Sequence, residues 1–221
     1  MKKFVSFLCT LSLVFMTQSC NSSKGLAGLS PDKALSGVQA LLGGASSSAL
    51  KGFTGNILGN SVMQNVMPEG LSNITSMLGN SAQGTKALGL LNSALESAVP
   101  DAASNFLSRT TNNIAAADAV NILKGGDTGA TDFLKKTAGN RLSAALLPAI
   151  TKKLTENGAL SAVTSALGGQ ASGLLGGGNA SLASMVSNGA ADGIFAMMGD
   201  AEKAERENPT DPVLKEIFGK K

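Results

Sequence analysis

The stretch Lys86-Ala87-Leu88-Gly89-Leu90-Leu91-Asn92-Ser93-Ala94-Leu95-Glu96-Ser97-Ala98-Val99 decides the fold class. Ala87, Leu88, Leu91, Ala94, Leu95, Ala98 and Val99 recur three and four residues apart, which places them on one face of a helix. Pro100 is expected to kink or restart this helix, with 101–107 continuing helically and turning Phe106 and Leu107 inward. Strand signals are almost absent along the chain, so the expectation is an all-α fold. It takes the form of a compact multi-helix domain over 29–221 with Gly/Ala/Ser-rich connections and a short C-terminal helix.

Downstream, a helix is expected over about 115–123, stopped at Gly125-Gly126, where left-handed backbone is favourable. Asp127 should cap the next helix, which turns Phe133 and Leu134 to the core. A further helix over about 139–157 carries Leu142, Leu146, Ile150 and Leu154 on one stripe, with Pro148 as a bend. The last long helix, about 180–207, buries Ala191, Ile194, Phe195 and Met198. Its end is expected to be an exposed charged one, with Glu202 and Arg206 four apart and Lys203 and Glu207 likewise. Asn208-Pro209 ends it, and Asp211-Pro212 starts a short terminal helix presenting Val213, Leu214, Ile217 and Phe218.

Upstream, Ser30-Pro31-Asp32 is a helix start: a capping side chain, proline at the first helical position and an acid at the positive end of the dipole. That helix should end near Leu42. Residues 43–84 are rich in Gly, Ser and Asn but keep Leu50, Phe53, Ile57, Leu58, Val62, Met63, Val66 and Met67. Short helices with glycine breaks fit this aliphatic content better than loose order does. Gly55 and Gly59 are four apart, as are Gly169, Gly173 and Gly177, a spacing that permits close contact between membrane helices. Neither stretch has the roughly 20 apolar residues of a span, and Gly176-Gly177-Gly178-Asn179 reads as a loop.

Composition removes several chemistries. The 221 residues contain no histidine, tryptophan or tyrosine. Ser-His-Asp and Cys-His sites, histidine-ligated zinc or haem, and the Trp or Tyr platforms used to stack bases or sugars are therefore excluded. Of eight phenylalanines, only Phe53, Phe106, Phe133, Phe195 and Phe218 lie beyond residue 20. Setting aside Lys2 and Lys3, 16 basic residues face 15 acidic ones, and a net charge near +1 gives no basis for nucleic-acid binding.

Residues 1–19 read as a lipoprotein signal peptide. Met1-Lys2-Lys3 is a positive start, 4–16 an apolar core, and Thr17-Gln18-Ser19-Cys20 a cleavage region abutting a cysteine. Ser19 and Cys20 fit a lipobox; Thr17 and Gln18 depart from it. Cleavage at a nearby site with ordinary secretion is the alternative. Cys9 lies inside the signal, so Cys20 is the only cysteine of the mature chain and is expected to be the lipid-attachment residue. Each buried acyl methylene contributes about 0.8 kcal/mol, and two chains make anchoring stable. Residues 20–28 would then be a flexible tether. The expected location is the cell envelope, with the anchor in the outer membrane facing the periplasm.

Several segments carry a resemblance. They are Ala98-Val99-Pro100, the run from Asp118 to Phe133, Leu146-Leu147-Pro148-Ala149-Ile150, Ala191-Asp192-Gly193-Ile194-Phe195, Glu202-Lys203, and the tail from Asn208-Pro209 to Phe218. In this order they resemble the bacterial family catalogued as domain of unknown function 4197, over roughly 26–218. The resemblance implies a helical protein, secreted or lipid-anchored in Gram-negative bacteria, with no agreed activity. The chain departs from the family pattern at Asp132, which precedes Phe133 where tyrosine is common, and at 168–178, which replaces a more charged linker. Both departures weaken any binding surface built on those aromatics.

Candidate chemistry is sparse: no catalytic residue, metal site or cofactor is expected. Asp118, Asp127 and Asp132 could perturb one another or hold a hard cation, but helix-cap and early-helix roles account for them. Lys135, Lys136 and Arg141, with Lys152 and Lys153 beyond them, could meet an anion or lipid headgroups; a solvated helix face explains the same residues. Gly125-Gly126-Asp127 lacks the glycine-lysine pair and preceding strand of a phosphate loop. Two functional classes follow. One is a non-catalytic, lipid-anchored binding or scaffold protein, with an envelope protein or lipid as partner and an unspecified oligomeric state. The other is a carboxylate-dependent hydrolase without histidine. Two buried acids facing one cleft, about 5 to 9 Å apart, would support the hydrolase. A continuous apolar groove would support lipid or helix binding, and a structure with neither takes the footing from both proposals.

Overall fold

The computed structural model describes residues 28–171 and 179–219. The expected signal peptide, the expected lipid-attachment residue Cys20, most of the expected tether, and Gly173 and Gly177 lie outside the described residues. Among those described there are nine α-helices, one 3-10 turn over 168–170 and no strand. The helices are α1 (Pro31–Lys51), α2 (Ser61–Val66), α3 (Glu69–Gly79), α4 (Ala82–Asn112), α5 (Ala116–Lys124), α6 (Gly129–Glu156), α7 (Ala159–Leu167), α8 (Asn179–Glu207) and α9 (Pro212–Phe218).

Four long helices carry the architecture. α1 packs on α4, α4 on α6, α6 on α8, and α8 back on α1, closing a ring. Side-chain contacts give the directions. Arg141 of α6 lies over Phe106 of α4, while Asn157 just past α6 donates to the Leu90 carbonyl of α4. Those two helices are therefore antiparallel. α6 and α8 are antiparallel too, because Glu202 meets Ala130, Lys135 meets Asp192 and Ser143 meets Asn188. The result is an up-down-up-down four-helix bundle. Its connections are short helices: α2 and α3 at one end, α5 at the other, and α7 at the first end again. The start of α1 and the terminal helix α9 share the α5 end, where Lys33 pairs with Glu216.

Three long elements exceed the expected boundaries. α1 continues through Gly43-Gly44 to Lys51, because Ala45 and Ala49 extend the buried row of Ala34, Val38, Leu41 and Leu42. α4 runs through Pro100 without a break: Ala98, Val99, Ala103 and Leu107 keep the inward stripe on both sides of it. The two helices expected on either side of Gly139 are one, α6, whose buried positions run from Leu134 through Ala138 and Leu142 to Leu154. In each case burial of a continuous apolar face outweighs a local breaker, whose cost is about 1 kcal/mol for glycine and 3 for proline. The region 43–84 resolves into the end of α1 followed by α2, α3 and the start of α4, with Asn60 capping α2 through the Val62 amide.

α8 is the central helix. It contacts α1, α2, α3, α6 and α9, and its row from Leu182 through Val186, Ala190, Ile194, Phe195 and Met198 is buried. Small residues let neighbours approach it. A Cβ at Gly193 would collide with the Met63 sulfur of α2, and one at Gly189 would press on Leu71 and Pro68. Among the phenylalanines beyond residue 20, Phe53 and Phe195 are buried, whereas Phe106, Phe133 and Phe218 are half-buried.

Candidate functional site

The most elaborate polar constellation among the described residues lies where α5, α6, α8 and α9 meet. It begins with an unfilled cap. α6 starts at Gly129 after the turn Gly125-Gly126-Asp127-Thr128, in which Gly126 takes the expected left-handed backbone at φ 92°. Asp127 does not cap this helix: the capping position is Thr128, whose side chain makes no capping bond and instead donates to the Asp132 carboxylate at 2.8 Å. The first amides of a helix need acceptors from somewhere.

Glu202 of α8 supplies them. One carboxylate oxygen accepts from the Ala130 amide at 2.9 Å and the other from the Thr131 amide at 2.7 Å. Arg206, one turn further along α8, donates from Nε to Glu202 Oε1 at 2.9 Å. Its Nη2 stands 2.8 Å from the same oxygen but out of line for a hydrogen bond, so that contact is electrostatic only. Nη1 donates to the Leu123 carbonyl in the last turn of α5 at 2.9 Å. The guanidinium centre also lies 4.9 Å from the centroid of the Phe218 ring in α9, within cation–π range. One ion pair thus joins the negative end of α5 to the positive end of α6, each charge placed as the helix dipoles favour.

The expectation of an exposed charged end is therefore corrected at these two residues. Glu202 is 0% exposed, and the Arg206 side chain is 10% exposed. The signal was present: Glu202 is four residues after Met198 and eight after Ile194, so it falls on the buried stripe of its own helix. Gly129 belongs to the same arrangement, since a Cβ there would lie 2.8 Å from the Ile122 carbonyl oxygen. The Thr131 hydroxyl is buried with no partner. Both Glu202 oxygens are occupied, by two amides and a guanidinium, and the geometry makes the constellation a four-helix junction.

Glu202 is the one carboxylate in the buried class among the described residues. Asp118, Asp127 and Asp132 are exposed, and no group of three or more acidic or cysteine side chains converges among the described residues. Two shallow depressions, about 260 Å³ between α4 and α6 and about 200 Å³ between α1 and α4, are lined largely by polar side chains. No pair of buried acids occurs among the described residues, and neither depression is a continuous apolar groove, so both functional classes lose that footing.

The candidate anion-contact residues all lie on α6 and are exposed. Lys135 leans to α8, 3.3 Å from Asp192, whereas Arg141 leans the opposite way, over Phe106 of α4 at 5.8 Å from the ring centroid. Lys152 and Lys153 both pair with Glu156, at 3.8 and 3.2 Å. The basic stretch is thus distributed around the helix rather than gathered on one patch.

Comparison with known proteins finds no match among curated proteins and none among solved structures. A family model does match, over residues 28–219, which takes in every described helix. The chain belongs to the family described as "Protein of unknown function (DUF4197)".

Proposed function

We propose that this chain is a lipid-anchored protein of the bacterial cell envelope. Cys20 holds it to the periplasmic face of the outer membrane, and it works there as a non-catalytic binding or scaffold protein. The observation that carries the reading is the N-terminal sequence, a charged start and apolar core closed by Ser19-Cys20, with Cys20 the only cysteine beyond the signal. No described helix is long and apolar enough to cross a membrane, so in this reading the acyl chains carry the attachment. The commitment of Glu202 to structural bonds supports the non-catalytic half, because the buried carboxylate is already used by Ala130, Thr131 and Arg206. Lys135, Lys136 and Arg141 are spread around α6, so they form no single headgroup-binding patch; a contact made by one of them with an anionic headgroup is worth about 1 kcal/mol near a surface and is screened by salt. Fractionation and protease treatment test the location. The protein should sediment with outer membranes and survive protease added to intact cells; recovery in the soluble fraction, or rapid digestion on intact cells, contradicts it.

A further inference from the structure

Among the described residues, methionine is confined to α2, α3, the link between them and α8. α8 packs against α1, α2 and α3 along one seam, and sulfurs line it. The Met63 sulfur of α2 lies against Gly193 of α8. The Met185 sulfur of α8 stands 2.9 Å from where a Cβ would sit on Gly70 of α3, and the Met197 sulfur stands 2.8 Å from the corresponding point on Gly52, just past α1. Met198 accepts from the Ser46 hydroxyl of α1 at 3.8 Å. Thioethers laid on glycine backbone therefore close the seam, a shape that the unbranched, polarisable side chain suits.

Thioethers also bring a chemistry that leucine lacks. Oxidation to the sulfoxide makes the side chain polar and chiral and disrupts the packing it took part in. Burial sorts the seam. Met63, Met197 and Met198 are buried, whereas Met185 is half-buried, so an oxidant in water meets Met185 first. Met67 and Met77 are half-buried too, but the Met67 sulfur accepts from Thr75 of α3 rather than from α8. Met185 also sits where the seam has least other support. α2 packs chiefly on α8, and α3 starts after Pro68 with no side-chain cap. The start of α3 meets α8 through Gly70 at Met185 and through Pro68 and Leu71 at Gly189. An oxygen added to the Met185 sulfur enters that contact.

We propose that Met185 is an oxidation site that controls the docking of α2 and α3 on α8. The oxidant is a peroxide. The Met185 sulfur lone pair attacks one peroxide oxygen, the O–O bond breaks, an S–O bond forms, and with hydrogen peroxide the leaving oxygen departs as water after proton transfer. The sulfur is oxidised by two electrons and the peroxide is reduced by two. A dithiol-dependent sulfoxide reductase reverses the step, returning the thioether with a disulfide and water, so the change works as a switch. The inference goes beyond the proposed function and is independent of the anchor.

Hydrogen peroxide treatment of the full chain extracted in detergent, read by peptide mass mapping and amide hydrogen exchange, tests it. Met185 should gain one oxygen before Met63, Met197 and Met198 do. The amides of α2 and α3 should then exchange about tenfold faster while those of α6 keep their rates, and methionine sulfoxide reductase should restore slow exchange. Met185→Leu, which conserves volume, should exchange slowly before and after peroxide. Met185→Gln, with a polar group in place of the sulfur, should exchange fast without peroxide, and it carries the test if Met185→Leu fails to fold. Sulfoxide at Met185 with unchanged exchange in α2 and α3 overturns the proposal, as does slow exchange in Met185→Gln. Acceleration that persists in Met185→Leu overturns it too, by moving the effect to Met67 or Met77, and so does oxidation of the buried methionines first.

Discussion

Glu202 is the one fully buried charged side chain among the described residues. Its carboxylate replaces a local cap at the start of α6 and at the same time neutralises Arg206, which reaches α5 and α9. Removing one partner of a buried pair leaves the other charge uncompensated, which typically costs about 3 to 5 kcal/mol. Glu202→Ala should therefore lose about that much in urea unfolding, and the Glu202→Ala/Arg206→Ala double variant should lose less than the sum of the two singles. Strict additivity would mean that the pair does not act as a unit. Phe195 supplies the apolar counterpart: it is 3% exposed on the same helix, and Phe195→Ala should cost about 3 to 5 kcal/mol through lost transfer energy and a cavity. A cost near zero would mean that α8 is misplaced in the bundle.

The long helices and the terminal helix were legible from the sequence but their lengths were not, and α7 was missed because 158–188 reads as a small-residue stretch. The stripe over 86–99 and the row Leu142, Leu146, Ile150 and Leu154 marked faces that the structure buries, and Ser30 and Asp211 cap α1 and α9 as their positions imply. Gly43-Gly44, Pro100 and Gly139 misled the boundaries because local cost is visible in sequence while compensating burial depends on partners far along the chain. The same limit hid the Glu202 junction, whose parts are 71 and 72 residues apart. Glycines divide accordingly. At Gly43 and Gly44 nothing opposes a Cβ, so Ala at both should raise stability by about 0.5 to 1 kcal/mol each. Gly129→Ala should be destabilising, since the backbone carbonyl oxygen of Ile122 occupies the space a Cβ needs. Melting temperatures of the two sets should move in opposite directions; movement in the same direction would contradict the packing assigned to the α5–α6 junction.

At the scale of the molecule, the bundle is closed by its own ends. The start of α1 and the terminal helix α9 lie together, joined by the Lys33–Glu216 pair and by Ile217 set against Gly37. An anchor at Cys20 would join the described domain ahead of α1, at the end of the bundle that also carries α5 and α9. Attachment through Cys20 is the claim on which the proposed function stands. The measurement that tests it most directly is the intact mass of the membrane-extracted protein beside that of a Cys20→Ala variant. The account predicts a chain beginning at Cys20 with acyl chains added, and release of the variant from the membrane. An unacylated soluble mass in the unaltered protein would contradict it.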